Sequence, residues 1–481
     1  MPAGDFLKTH DPILAAFDAL VATRASDTLM VSTRERATVG DIERLAKAIH
    51  SLAVKSGLAP GNIVGLAAPN GPAFAAGYLG LRRAGFKVLL MDRGTPHQER
   101  RRIEQSLLSA GSLVLDTGWP SSAEAITLNL DVETSPLDIP DAVSTIRLTS
   151  GSTGQPRGIA MTSEALLKDD SAIRSTMELE NERALAAIPL SHSYGFSSLF
   201  LPALTQGWLL AIPSGISPFA AVEIASESRI TFLPTVPAYI EALLKMETPP
   251  PLPTTLQKII TAGAPLKPEA ARRFREIFGQ PIHVFYGASE VGGICYDRRG
   301  DAAERGTLGT PLDGVEVLLA PEPGLGDGQG IVEVLSPATA VGYIPDDDKS
   351  LGSDRYLTSD IGAFLNGELL LFGRVDAIVN VRGKKVDPRE VETVLNALGG
   401  IDETIVMGIQ GPSSSGEFLG AIVAGDQTMP QVDGIRDWCW QHLASHKIPR
   451  HIVRVEALPR TSRGKVNRKL IRQWLTRTSR Q

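Results

Sequence analysis

The stretch "STIRLTSGSTGQPRG", residues 144–158, sets a β-branched apolar run directly before ten residues that hold three glycines, one proline and four hydroxyl side chains. The run reads as a buried strand and the loop as the connection at its carboxyl end. Small residues let backbone N–H groups approach an anion, and Thr149, Ser150, Ser152 and Thr153 can donate hydroxyl hydrogen bonds. That set suits a triphosphate, with Arg157 as its cation. It is not a Walker A loop, because G-x-x-x-x-G-K-[ST] occurs nowhere in the chain. A hydroxyl-rich surface turn has the same composition, so the surrounding chain must decide.

Outward from this stretch the same unit recurs. "NIVGLAA", "FKVLLMD", "SLVLDT", "ALAAIPL", "RITFLPTVP", "KIITAG" and "PIHVFYG" are short apolar runs bounded by glycine, proline or polar residues and separated by helical stretches. Such an alternation predicts α/β architecture, with sheets covered on both faces and ligands at the carboxyl ends of the strands. "TVGDIERLAKAIHSLAVKSG" predicts a helix with Ile42, Leu45, Ala46 and Ile49 on one stripe, stopped near Gly57. "FSSLFLPALTQGWLLAI" is short for a bilayer span and broken by Pro202, Gln206 and Gly207, so it reads as a buried helix running into a strand. After about Gly306 the pattern turns to short strands, a β-rich subdomain. A second, smaller α+β pattern follows "GRVDAIVNVRGKKV", with a boundary near Arg374 to Asp376.

The chain has 481 residues, too long for one ordinary core, so two or more domains are expected. A formal net charge of -6 argues against a dedicated nucleic-acid binder, although Lys447, Arg450, Arg454, Arg460, Arg463, Lys465, Arg468, Lys469 and Arg472 crowd the C-terminal end. These cations are either solvated or attract an anionic partner. Cys295 and Cys439 fall in different predicted domains, no transmembrane segment is expected, and the N-terminus lacks an apolar signal region, so a cytoplasmic location fits. Cys439, His442 and His446 have suggestive metal-ligand spacing, but all lie on one predicted helix without a partner pair, and helix packing is the reading.

Three further stretches bear on the opening loop. In "FYGASEVGG" (285–293), Tyr286 offers an aromatic face and Glu290 a carboxylate able to hold Mg²⁺ beside a phosphate. "LTSDIG" offers Asp360, whose oxygens can accept from two ribose hydroxyls. "LPRTSRGKVNRKLI" places Lys465 in a glycine-containing loop, where an ammonium can meet developing charge. Each alone is ordinary: a Tyr-Gly turn, a surface aspartate, a solvated basic run.

Together and in this order these motifs resemble the adenylate-forming superfamily of acyl-CoA synthetases, peptide-synthetase adenylation domains and luciferases, over nearly the whole chain. The resemblance implies a large N-terminal domain of stacked α/β subdomains with the β-rich subdomain (1–373), a hinge at 374–376 with Asp376 as its pivot, and a small mobile α+β lid (377–481). It assigns the ATP phosphates to Thr149, Ser150, Gly151, Ser152, Thr153 and Gly154, with Arg157 where the family usually has lysine. Arginine keeps the charge and can grip phosphate with two nitrogens. Gly263, Ala264 and Pro265 would flank adenine, Tyr286 would stack on it beside Gly287 and Ala288, Ser289 would meet phosphate, and Glu290 would hold Mg²⁺. Asp360 with Arg374 would hold the ribose.

The implied reaction converts a carboxylate and ATP into an acyl-adenylate and pyrophosphate, then transfers the acyl group to a thiol with release of AMP. The resemblance makes Lys465 the catalytic cation of the first step. Gly383 and Lys384 would border the pantetheine channel in the second. His192, Phe196, Gly287 and Gly292 would line the acyl pocket, where His192 gates or orients the carboxylate or is a structural histidine. Ser193, Tyr194, Gly195 and Phe196 stand where amino-acid-activating relatives carry an aspartate hereabouts, which disfavours an amino acid and favours a fatty or aryl acid. CoA is the expected acceptor. The alternatives are ligation to the phosphopantetheine of an acyl carrier protein, release of acyl-AMP to a partner, and, in a different class, a non-catalytic nucleotide- or acyl-binding homologue.

Overall fold

The computed structural model describes residues 11–120, 128–130, 139–150, 156–215, 218–323, 325–345, 350–375, 379–381, 384–410, 417–460 and 466–478. Local chemistry sets its elements directly. The helix Val39–Lys55 starts at Thr38, whose hydroxyl accepts from the Asp41 N–H at 3.1 Å while Asp41 accepts from the Thr38 N–H at 2.8 Å. This reciprocal cap satisfies two otherwise orphaned donors, and the Thr38 N–H holds the Asp41 carboxyl below its ordinary value. Ile42, Ala46, Ile49 and Ala53 form its buried stripe; Leu45 sits half-exposed at its edge.

Two large sheets carry the architecture. Among the described residues one has seven strands in the order Gly342–Ile344, Pro156–Thr162, Val143–Ser150, Lys87–Met91, Ile63–Ala67, Gly111–Val114, Leu128–Leu130. Its centre is parallel: Val64 pairs with Val88, Gly65 with Ser112 and Leu89 with Ile146. The other has nine, running Thr310–Pro311, Gly292–Tyr296, His283–Ala288, Lys258–Thr261, Phe232–Thr235, Arg183–Leu185, Leu209–Ala211, Thr28–Val31, Arg36–Thr38. Its central strands are also parallel. Ile63–Ala67 and Lys87–Met91 are buried at every position, as strands covered on both faces must be.

The stretch read as a helix running into a strand begins differently. Phe196–Phe200 is a π-helical turn, followed by the helix Leu201–Gln206 and the strand Leu209–Ala211. The wider turn places Phe196, Ser197, Ser198, Leu199 and Phe200 all inside the core, and Phe200 meets Phe74 and Tyr78 edge-on with ring centroids 5.0 and 5.4 Å apart.

The chain divides into two compact units: Met1–Ala320 with Val332–Thr358 and Phe364–Leu370, and Pro321–Ile331 with Ser359–Ala363 and Leu371–Gln481. The short strands expected after Gly306 are present as Glu316–Ala320, Gly330–Leu335, Leu351–Gly352, Arg355–Leu365 and Glu368–Arg374. In the second unit, Ile401–Gln410 runs antiparallel to Glu417–Gly425, which runs parallel to His451–Val455. Alternation of side chains splits this sheet's faces. Val406, Leu419 and Val423 pack with Val391, Leu395, Ile435 and Cys439, whereas Ile405, Met407, Ile409 and Ile422 pack with Ile471 and Leu475. The helix Val432–His442 ends earlier than the sequence suggests, because Leu443 is extended; His446 therefore sits in the separate turn Ser445–Lys447, not on one helix with Cys439 and His442.

Candidate functional site

Polar side chains at the carboxyl ends of the two large sheets reach across to each other, all within the first unit. Asn70, after Ile63–Ala67, donates to the Ile188 carbonyl at 2.9 Å and accepts from the Leu190 N–H at 2.9 Å. Asp92, after Lys87–Met91, faces His192 with Oδ2 3.6 Å from Nε2. Arg147 reaches the Ser289 carbonyl at 3.4 Å, and Tyr343 donates its hydroxyl to Glu290 Oε1 at 3.1 Å. Crossings of this kind are where open α/β sheets bind ligands.

The opening motif is a hairpin. Leu148 pairs with Gly158, Thr149 with Arg157 and Ser150 with Pro156. Its tip, with Gly151, Ser152, Thr153 and Gly154, lies outside the described residues. Arg157 therefore sits opposite Thr149 on a strand the sequence reading did not foresee. Its guanidinium lies over the Tyr343 ring, 3.9 Å from the centroid, a face-on contact that a planar cation makes best. Since the same Tyr343 holds Glu290, one aromatic residue joins the hairpin's cation to the candidate metal ligand. Burial, and then the Glu290 charge, push the Tyr343 hydroxyl up to about 12, so it stays a donor at any working pH.

"FYGASEVGG" folds as the strand His283–Ala288, a tight turn, and the antiparallel strand Gly292–Tyr296. A Cβ on Gly287 would stand 2.6 Å from the Gly292 carbonyl, and Gly292 has φ +74 with the Asp169 carboxylate where a Cβ would be. Only glycine fits there. The turn brings together Tyr286, half-exposed on the strand, Ala288, Ser289 and Glu290, which is 8% exposed. Ser289 Oγ accepts from Ser193 Oγ at 2.7 Å, tying the turn to the segment of His192. Gly263, Ala264 and Pro265 form an exposed loop following Lys258–Thr261, the strand parallel to that of Tyr286.

Phe196 is fully buried, its ring 5.4 Å from Tyr78 and 5.0 Å from Phe200. Tyr194 instead stacks at a tilt on Phe285, 5.8 Å between centroids, and burial raises its hydroxyl well above the ordinary value. A single carboxylate such as Glu290 is compatible with Mg²⁺ chemistry at a nucleotide. No group of three His, Cys, Asp or Glu side chains among the described residues could form a cage, but Mg²⁺ beside a nucleotide needs only one or two carboxylates, since phosphate oxygens and water complete its shell.

Asp360 and Arg374 fall in the second unit, where Arg374 Nη1 stands 3.8 Å from Asp360 Oδ1. Asp376, Gly383 and Lys465 lie outside the described residues; Lys384 opens the strand Lys384–Val386, paired with Val379–Val381. The sequence reading missed Asp92, Arg147, Asp169 and Tyr343. The one signal was Arg147 itself, a lone cation in an otherwise uncharged strand.

Comparison with known proteins places the chain among adenylating enzymes by family. The family described as AMP-binding enzyme matches residues 17–344, and the AMP-binding enzyme C-terminal domain matches residues 390–465. A 3,4-dihydroxybenzoate--[aryl-carrier protein] ligase of Bacillus anthracis is 28% identical over 397 residues, covering 81% of this chain and 86% of the relative. A feruloyl-CoA synthase of Amycolatopsis sp is 26% identical over 454 residues, covering 88% and 90%. The solved structure of ATP-bound MatB from Rhodopseudomonas palustris superposes with a TM-score of 0.81 at 22% identity, over 97% of this chain and 99% of that one.

Proposed function

The chain belongs to the AMP-binding enzyme family, and on that footing we propose that it is an AMP-forming acid–thiol ligase, which activates a carboxylic acid with ATP and passes the acyl group to coenzyme A. The observation that carries this reading is the meeting of the Thr149–Arg157 hairpin with the Tyr286–Glu290 turn through Tyr343. A free carboxylate is a poor electrophile, and adenylation gives it a leaving group. The carboxylate oxygen attacks the α-phosphorus, pyrophosphate leaves, and a thiol then attacks the acyl carbon and expels AMP. Catalysis is then mainly orientation and charge stabilisation.

The residues divide that work. The hairpin, with Thr149 and Arg157, is assigned the phosphates. Tyr286, beside Gly263–Pro265, is assigned the adenine, and Asp360 with Arg374 the ribose. Glu290 is the residue that would hold Mg²⁺, which supplies charge neutralisation on the phosphates. Lys465 is assigned the charge on the α-phosphate during adenylation, and the segment around Gly383 and Lys384 the thiol channel, with Asp376 as the hinge between the two steps. His192, at 3.6 Å from Asp92, is assigned to orient the acid carboxylate.

The acid is of fatty or aryl type. The relatives that act on dihydroxybenzoate and ferulate favour an aromatic acid, as does the tilted Tyr194–Phe285 pair beside the Ser289 turn. The carrier-protein relative sustains a second reading, ligation to a carrier phosphopantetheine. Acid-dependent pyrophosphate exchange, followed by AMP release with CoA or holo-carrier as rival acceptors, tests both. Acid-dependent turnover with CoA is expected; dependence on carrier alone would move the assignment to the second reading.

A further inference from the structure

Arg147 is the one charged residue of the strand Val143–Ser150 that enters the hairpin. It is 1% exposed. Nη2 donates to Ser197 Oγ at 2.8 Å, Nη1 to the Ser289 carbonyl at 3.4 Å, and the guanidinium lies 5.7 Å from the centre of the Phe196 ring. Ser197 in turn donates to Asp169 Oδ2 at 2.5 Å, while Asp169 Oδ1 accepts from the Gly293 N–H at 2.9 Å. Asp169 and Ser197 are 2% and 3% exposed. The chain of contacts thus starts on the residue before Glu290 and ends three residues after it. Gly292 must be glycine for the last contact, since a Cβ there would overlap the carboxylate.

Buried charges are often no more stabilising than apolar residues of similar volume, so a gain in stability is weak ground for placing them here. Their geometry does something else. They pin both ends of one turn, and they pin it to the strand leading into the phosphate hairpin and to the π-helical turn that delivers Ser197.

We propose that Arg147 and Asp169 are positioning residues for adenylation: through Ser197 they clamp the 289–293 turn and so set Glu290 against the hairpin of the neighbouring sheet. The inference rests on the ligase reading above. Neither residue touches the reacting atoms. Their loss should therefore slow adenylation and leave transfer from a supplied acyl-adenylate intact.

The test is the double variant Arg147→Met/Asp169→Leu, which removes both charges together and avoids the stranded ion that either single change would leave. Circular dichroism and thermal unfolding report its fold. Pyrophosphate exchange reports kcat and the ATP KM, and thioester formation from supplied acyl-adenylate reports the second step. A folded double variant should lose about 10²-fold in adenylation kcat, the usual cost of misplacing a reacting group by about 1 Å, with thioester formation retained. Arg147→Lys, which lacks the two-pronged fork, should not restore adenylation. Asp169→Asn is nearly isosteric and surrenders one of two acceptor oxygens; its fold is checked by the same unfolding measurements, and it too should slow adenylation selectively. Wild-type adenylation in the double variant or in Asp169→Asn, or equal loss of both half-reactions, overturns the proposal. A wild-type chain with no acid-dependent exchange would overturn the ligase reading first, and this inference with it.

Discussion

Tyr343→Phe isolates a single hydrogen bond. The substitution removes the hydroxyl that donates to Glu290 Oε1 at 3.1 Å and leaves the ring on which Arg157 stacks at 3.9 Å. A hydrogen bond to a charged group contributes about 1.5–3 kcal/mol. At 3.1 Å the contact lies just past the usual O–H···O range, so the lower figure applies, and about 1.5 kcal/mol is about a tenfold loss in kcat/KM for adenylation. Because burial and Glu290 hold the Tyr343 hydroxyl protonated up to about 12, the loss should be the same across neutral and mildly alkaline pH. Pyrophosphate exchange on Tyr343→Phe, Glu290→Ala and the double variant is the assay. If Tyr343 acts through Glu290, the hydroxyl has no acceptor left to orient once the side chain is gone, and the double variant equals Glu290→Ala. Activity within twofold of wild type, or losses that simply add, would refute the reasoning.

Other expectations follow from the same geometry. Arg157→Lys keeps the charge but gives up the planar stack on Tyr343; a loss of about 0.5–2 kcal/mol, about 2- to 30-fold in exchange rate, is expected, and collapse beyond that would show that the guanidinium fork itself grips phosphate. Lys465→Ala should abolish adenylation, by about 10²–10³-fold for one lost donor, with thioester formation from supplied acyl-adenylate retained; equal loss of both steps would reject the division of labour. Asp170, paired with Arg174 at 3.1 Å, is buried, and that burial pushes its carboxyl up to about 6. A raised carboxyl contributes stability that is complete below about pH 4 and lost as pH rises through about 6, about 3 kcal/mol in all. Denaturant unfolding of Asp170→Asn across that window should be flatter with pH than wild type; parallel curves would contradict the assignment.

What the sequence made legible is what lies close together along the chain. The stripe Ile42–Ala46–Ile49, the buried strands before each glycine, and the words around Tyr286 and Glu290 are local patterns, and the structure has the elements they predict. The polar bridges are different. Arg147 and Ser289 are 142 residues apart, Glu290 and Tyr343 53, Asp169 and Ser197 28. The first two pairs meet where the two large sheets approach one another, the third where the helix Ser163–Met177 packs beside the π-helical turn, and a single sequence carries no measure of those distances. The hairpin strand Pro156–Thr162 was hidden for a related reason. Its proline and glycine read locally as loop, whereas its pairing with both Val143–Ser150 and Gly342–Ile344 overrides that preference. The π-helical turn at Phe196 likewise has no sequence signature beyond an apolar run, yet it is what turns Ser197 inward.

The measurement closest to the central claim is isotope exchange between pyrophosphate and ATP over a panel of fatty and aromatic acids, followed by AMP and thioester quantified with CoA or holo-carrier added. The account predicts exchange that depends on the acid, is fastest with an aromatic acid, and converts on addition of CoA to equal amounts of AMP and thioester. No exchange with any acid, with ATP binding intact, would contradict it and leave a nucleotide-binding homologue without catalysis.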